Sequence, residues 1–168
     1  MNSKTQQATH TMGSRIEHSV QVKCSPQRAW EIYTDWKRWR LWNGLYGDIR
    51  WVEGEPWVTG SRLEVDVLQP RPMTAKQVLT VCEPPRKVAW VGHGVGVTYE
   101  QWVNFTPRRA GGTLVYAWIE LTGIATQFFG KTIEETVREI LIKWFEAFRA
   151  ECDLGFAAEG QRPISPQR

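Results

Sequence analysis

The sequence predicts an α+β fold in which a strongly curved antiparallel sheet of about seven strands wraps a long C-terminal helix, with two short helices after the first strand. Three observations carry this. An alternating segment leads directly into a capped helix, six strand-like segments then follow with only turn chemistry between them, and the longest amphipathic stretch comes last.

The alternation of Ile16, His18, Val20, Val22 and Cys24 with Glu17, Ser19, Gln21 and Lys23 is that of a half-buried strand. Ser25-Pro26 then supplies an N-cap and a proline at the first helical position, where the missing N–H costs nothing. Ala29, Trp30, Ile32 and Tyr33 give that helix its apolar stripe, and Trp36, Trp39 and Trp42 space a short second helix over Asp35–Trp42. Strand patterns follow over Asp48–Glu53, Ser61–Leu68, Met73–Cys82, Lys87–Gly92, Val97–Thr106 and Gly112–Thr122. The breaks between them carry proline or glycine, with Gly92, Gly94 and Gly96 read as a turn. Connections this short impose an antiparallel meander, since parallel neighbours need long crossovers. The last helix is expected over Thr126–Asp153. Its stripe of Ile133, Val137, Ile140, Leu141, Trp144, Phe145 and Phe148 lies opposite Glu134, Glu135, Arg138, Glu139, Lys143 and Glu146, and only the sheet can cover it.

A chain of 168 residues buries enough surface to fold around one core without metals or disulfides. The ordered domain is expected over 15–154, between polar tails at 1–14 and 155–168. Basic residues are scattered and the net charge is only +3, so the concentrated cationic face of a nucleic-acid binder is not expected. Cys24, Cys82 and Cys152 show no close pair, and His10, His18 and His93 are widely separated, so neither a metal site nor a cofactor is expected. No apolar run is long enough for a membrane span and no secretory leader opens the sequence, which makes a cytoplasmic location the expectation.

This element order resembles the helix-grip superfamily, also called START-like or SRPBCC, and within it the polyketide cyclase/dehydrase-like branch. Ser25-Pro26-Gln27-Arg28-Ala29-Trp30 resembles the family's entry from first strand to first helix, and Asp35-Trp36 with Trp39 its aromatic-rich second helix. Glu83-Pro84-Pro85-Arg86-Lys87-Val88-Ala89-Trp90 is similar to its mid-sheet turn and strand. Phe105-Thr106-Pro107 followed by Gly111-Gly112-Thr113 resembles its last hairpin. The resemblance implies a space between sheet and helix that takes a hydrophobic small molecule, and it leaves open whether anything is turned over.

Parity along the strands selects the lining of that space. His18 and Val20 go with Ile16; Leu63 and Val65 with Val67; Tyr99 and Gln101 with Val103; Val115 and Ala117 with Ile119. On the fifth of the seven strands, the set containing Trp90 is preferred over that containing His93. Trp51 and Trp57 from the second strand and the loop after it, and Phe128, Phe129, Ile133, Val137 and Trp144 from the long helix, complete the wall or mouth. His18, Tyr99 and Gln101 are the polar members, though each also reads as an ordinary strand-end or core-edge residue. Glu64, Asp66, Glu100 and Glu120 fall on the wet face and have nothing to act on.

Three functions follow as expectations. The first is carriage or sensing of a lipid, aromatic or polyketide-like molecule. The second is a cyclase or dehydratase using His18, Tyr99 or Gln101 as acid/base. The third is a protein contact, a homodimer included, through the outer-face aromatics Trp102, Tyr116 and Trp118.

Overall fold

Strand β1 (Ser14–Val22) is followed by helix α1 (Pro26–Thr34), whose N-cap Ser25 accepts a hydrogen bond from the Arg28 amide. The expected second helix is a 3-10 turn over Trp36–Arg38 continued by α2 (Trp39–Trp42). Strands β2 (Tyr46–Glu53), β3 (Arg62–Val67), β4 (Met73–Glu83), β5 (Lys87–Gly94), β6 (Val97–Pro107) and β7 (Thr113–Thr122) form the meander, and α3 (Ile124–Gly160) closes the chain. This computed structural model describes residues 14–94 and 96–160. Of the expected tails 1–14 and 155–168, residues 1–13 and 161–168 lie outside the described residues. Two boundaries differ from expectation: Ser14 already pairs with Leu121, and α3 continues through Gly155 to Gly160. No described helix is long and apolar enough to cross a membrane.

The sheet runs β1-β7-β6-β5-β4-β3-β2, antiparallel throughout, so β1 and β2 are its two edges although they are neighbours in sequence. The chain between them, α1 to α2, crosses one end of the concave face. Register shifts in β2 against β3, and in β4 between Leu79 and Val81, add the local bends that let the sheet curl.

Helix α3 lies along β1 and divides into unlike halves. From Leu141 onward, Leu141, Trp144, Phe145, Phe148 and Cys152 are all buried, Phe148 completely. Before Leu141 no residue of the helix is buried, and Ile133, Val137 and Ile140 only lean against the core. The backbone breaks helical geometry at Phe129 (φ −126°, ψ 17°), next to Gly130.

The closed end is filled by aromatic rings. Tyr33 makes edge contacts with Trp39, Phe105, Trp144 and Phe148 at centroid distances of 5.4–6.1 Å, and Trp144 stacks on Phe148 at 5.5 Å. Such pairs are each worth about 0.5–1.5 kcal/mol beyond the area they bury. The same rings finish α1: Trp39 Nε1 donates to the Tyr33 carbonyl and Trp57 Nε1 to the Thr34 carbonyl, both at 2.8 Å. These carbonyls belong to the last turn, which has no intrahelical donor for them.

Candidate functional site

Strand register builds the site row by row. Reading across the concave face, Trp51 stands opposite Leu63, Leu63 opposite Gln77, Gln77 opposite Gly92, Gly92 opposite Tyr99, and Tyr99 opposite Leu121. One row thus gathers an indole, an amide and a phenol from β2, β4 and β6. The next row carries Leu79, Trp90, Gln101 and Ile119. Trp51, Gln77, Tyr99 and Gln101 are only half-buried although they point inward, and Ile133 and Val137 on α3 are likewise half-buried. The candidate site is the region between the first half of α3 and the rows centred on Gln77 and Gln101.

Gly92 is a strand residue here and not part of a turn. A Cβ at that position would fall 2.1 Å from Tyr99 Cζ, so the phenol ring lies directly across the glycine backbone. Only glycine permits that approach. The Tyr99 hydroxyl hydrogen-bonds Gln77, and burial pushes its pKa up to about 12 against the small opposing effect of that bond. Burial also raises Tyr33 and Tyr46, and the Tyr46 hydroxyl feels both Tyr33 and Tyr99. All three phenols therefore stay protonated at neutral pH.

Trp57 is held in the left-handed region (φ 65°), which is unfavourable for a bulky residue. Its ring explains why the conformation persists: it contacts Tyr33, Trp39, Trp51 and Trp90 at 5.5–6.1 Å, so the loop after β2 plugs one side of the interior. Trp90 donates to the Tyr33 hydroxyl at 3.3 Å.

The remaining expected residues distribute as follows. Val20, Leu63, Val65, Trp90, Val103, Val115, Ala117, Ile119 and Trp144 are buried among the inward-facing core residues. Phe128 and Phe129, expected at the wall or mouth, are 75% and 65% exposed, and the backbone departs from helical geometry at Phe129. His18 faces α3, where its Nε2 lies 3.3 Å from Glu146 Oε1. Register sets it beside Ala117 and Val103, two positions along β6 from Gln101 and four from Tyr99. Glu64 and Asp66 point outward and both bond Arg50 at 3.1 Å, which holds both carboxyls below their ordinary range.

Sequence spacing gave no hint of Tyr33, Tyr46 or Gln77 as interior polar groups, although Gln77 continues the alternation of Ala75 and Leu79. Nor did it show that the buried thiols of Cys24 and Cys152 hydrogen-bond each other, beside the Lys23 amide's bond to Asp153 Oδ1 at 3.1 Å. Among the described residues, no group of His, Cys, Asp and Glu side chains is gathered to hold a metal ion.

Two surface depressions lie outside the grip. One of about 60 Å³ sits between α1 and the end of α3, and one of about 300 Å³ runs between the Trp36–Arg40 segment and Asp48 and Ile49 of β2. Neither includes a residue of the expected lining. On the outer face of the sheet, Trp102 and Trp118 stack at 5.6 Å with planes 5° apart and Tyr116 adjoins Trp118 at 5.4 Å. Arg15 caps this ladder 4.7 Å above Trp118.

Among curated proteins none matches this chain in sequence. The chain resembles several solved structures in fold. A START superfamily protein from Mycobacterium smegmatis is 16% identical with a TM-score of 0.68, over 82% of this chain and 96% of that one. A hypothetical protein from Helicobacter pylori is 10% identical with a TM-score of 0.71, over 90% and 97%. A Thalictrum norcoclaurine synthase point mutant, in complex with a transition-state analogue, is 14% identical with a TM-score of 0.69, over 86% and 97%. At these identities the likeness speaks for the helix-grip fold alone. The family described as polyketide cyclase/dehydrase and lipid transport matches residues 14–153, nearly the whole described domain, and the chain belongs to that family.

Proposed function

We propose that the protein binds and carries a hydrophobic small molecule, held between the first half of α3 and the concave face of β2–β6. The observation that carries this reading is the contrast along α3. The same apolar stripe is fully covered after Leu141, while Ile133 and Val137 face inward and remain half-covered. Apolar side chains bordering open interior space, with a few polar groups among them, make a small-molecule site.

Carriage is favoured over acid/base catalysis by the titration of the polar groups. Tyr99, with its pKa near 12, is a poor proton shuttle at neutral pH, Gln101 does not titrate there, and His18 is engaged by Glu146 away from the gap. In this reading the protein works where no membrane span is needed, in the cytoplasm, and needs no cofactor.

Val137→Trp fills the gap and tests the proposal. Native mass spectrometry of the protein purified from its host is expected to show a co-purifying apolar molecule on the wild type and none on the variant. A wild type without passenger, whose melting temperature is unmoved by fatty acids or aromatic polyketides, would sink the proposal.

One observation favours a second reading. The ladder of Trp102, Tyr116 and Trp118 remains half-exposed on a face that otherwise carries charge, and such patches are used in association. In that reading two copies meet through their outer sheet faces.

A further inference from the structure

Strand register gathers three short segments at one end of the sheet. Val67 pairs with Met73, Gly94 with Val97 and Thr98 with Thr122, so the β3–β4 turn, the β5–β6 turn and the start of α3 all leave the sheet at that end. The last two are in contact. The Ala125 amide donates to the Gly96 carbonyl at 3.0 Å, and a Cβ at Gly96 would lie 3.2 Å from that of Ala125. Helix α3 therefore begins on this rim.

The rim is apolar where it meets water. Phe128 is 75% exposed, Phe129 and Ile124 65% each, and Leu68 and Met73, on either side of the β3–β4 turn, 49% each. Among the described residues no large apolar side chain is more exposed than Phe128. Rings left in water are unfavourable, and exposed apolar patches mark surfaces that something else covers. The charge pattern says what. Residues 68–73, 93–98 and 121–133 contain Arg71 and Lys131, both exposed, and not one Asp or Glu. At the margin, Glu134 accepts from the Ser14 hydroxyl, and Asp48, near the start of β2, pairs with Arg50 at 3.5 Å. Aromatic tips with cations beside them and no anion suit an anionic lipid surface, where rings enter the acyl region and cations meet phosphates. A protein partner would have to supply a separate recess for each tip, whereas a bilayer is fluid and conforms to all of them.

We propose that this end of the sheet docks on an anionic lipid bilayer, with Phe128, Phe129 and Ile124 entering the acyl region while Lys131 and Arg71 meet the headgroup phosphates. The contact is peripheral, since no described helix is long and apolar enough to cross a membrane. It brings the first half of α3, and with it the candidate site, to the membrane surface. It stands apart from the small-molecule reading, because the exposed rings and the charge pattern are the same whether or not the protein carries a ligand.

Flotation of the full chain with vesicles tests this, using phosphatidylcholine alone and phosphatidylcholine mixed equally with phosphatidylserine. The wild type is expected to float with the mixed vesicles and to leave them as salt is raised. Phe128→Ser with Phe129→Ser is expected to lower that affinity at least about 10-fold, and Lys131→Gln about 5-fold. All three side chains are exposed, so the melting temperature should stay where it is. Trp102→Ser with Trp118→Ser, which removes aromatic surface from the outer face of the sheet, is expected to keep wild-type vesicle binding. A wild type that floats with neither vesicle, or equally with both, overturns the proposal, and so does undiminished binding by the Phe128 and Phe129 double variant. A dimer in gel filtration that this double variant dissociates would show the rim covered by a second copy, and overturns it as well.

Discussion

The two halves of α3 carry the same kind of apolar stripe and meet different fates. From Leu141 onward the stripe enters a packed set of rings from α1, α2, β6 and the loop after β2, and all of it is buried. Before Leu141 none of it is buried, and Ile133, Val137 and Ile140 stay half-covered. One half is core, and the other is the half that the proposed function assigns to a ligand. Hydrophobic periodicity shows that a face must be covered, and it does not say by what or how closely.

Truncation should separate the halves most sharply. Phe148→Ala is expected to cost about 3–5 kcal/mol, the range for deleting a fully enclosed aromatic ring, and Ile133→Ala much less, because Ile133 is only half-covered. Chemical denaturation measures both, and equal losses would remove the distinction between the halves.

Alkaline pH should act next most strongly, through the buried phenols around the gap. Their folded pKa values are raised, so the stability they contribute is intact below the ordinary tyrosine value near 10 and is lost as pH climbs through that value toward 12 and beyond. Each contributes up to about 1.4 kcal/mol per pH unit over that window. Ultraviolet titration should show Tyr99 ionising near 12, after the exposed tyrosine signal, and Tyr99→Phe should remove that late step.

Gly92→Ala is expected to cost about 1–3 kcal/mol, as overpacking does, by lifting the Tyr99 ring off the β5 backbone. The readout that distinguishes this from general loosening is the titration of Tyr99, which should move back toward the ordinary value. An unchanged late step in the variant would show that the ring does not rest on Gly92.

The smallest effect is expected on the far side of the sheet. Trp102→Ser with Trp118→Ser breaks one stacked pair and should cost only about 1 kcal/mol in the monomer. Gel filtration of the same variant tests the outer-face dimer: the wild type should elute as a dimer and the variant as a monomer. A common elution volume removes that interface.

Much of the fold was legible because alternation and turn chemistry are local. Six strands, the Ser25-Pro26 cap and the long helix all stand within a few residues of where their patterns put them. Less of the site was. Parity aimed Trp90, Tyr99 and Gln101 inward, but it could not show that His18 meets Glu146, since that contact spans 128 positions and depends on where α3 lies. Nor could periodicity show the non-helical residue at Phe129, where the helix pattern continues unbroken in sequence.

By itself the sequence determined which faces are apolar, where strands turn, and that a seven-strand sheet must cover one long helix, because these follow from side-chain period and backbone chemistry within short windows. Tertiary structure alone decided how closely that cover fits. It joined Trp51, Gln77, Gly92 and Tyr99 into one row by strand register, and it left two buried indole hydrogens without an acceptor among the described residues. Distances across a sheet and the partners of buried donors depend on every element at once, so no local pattern encodes them.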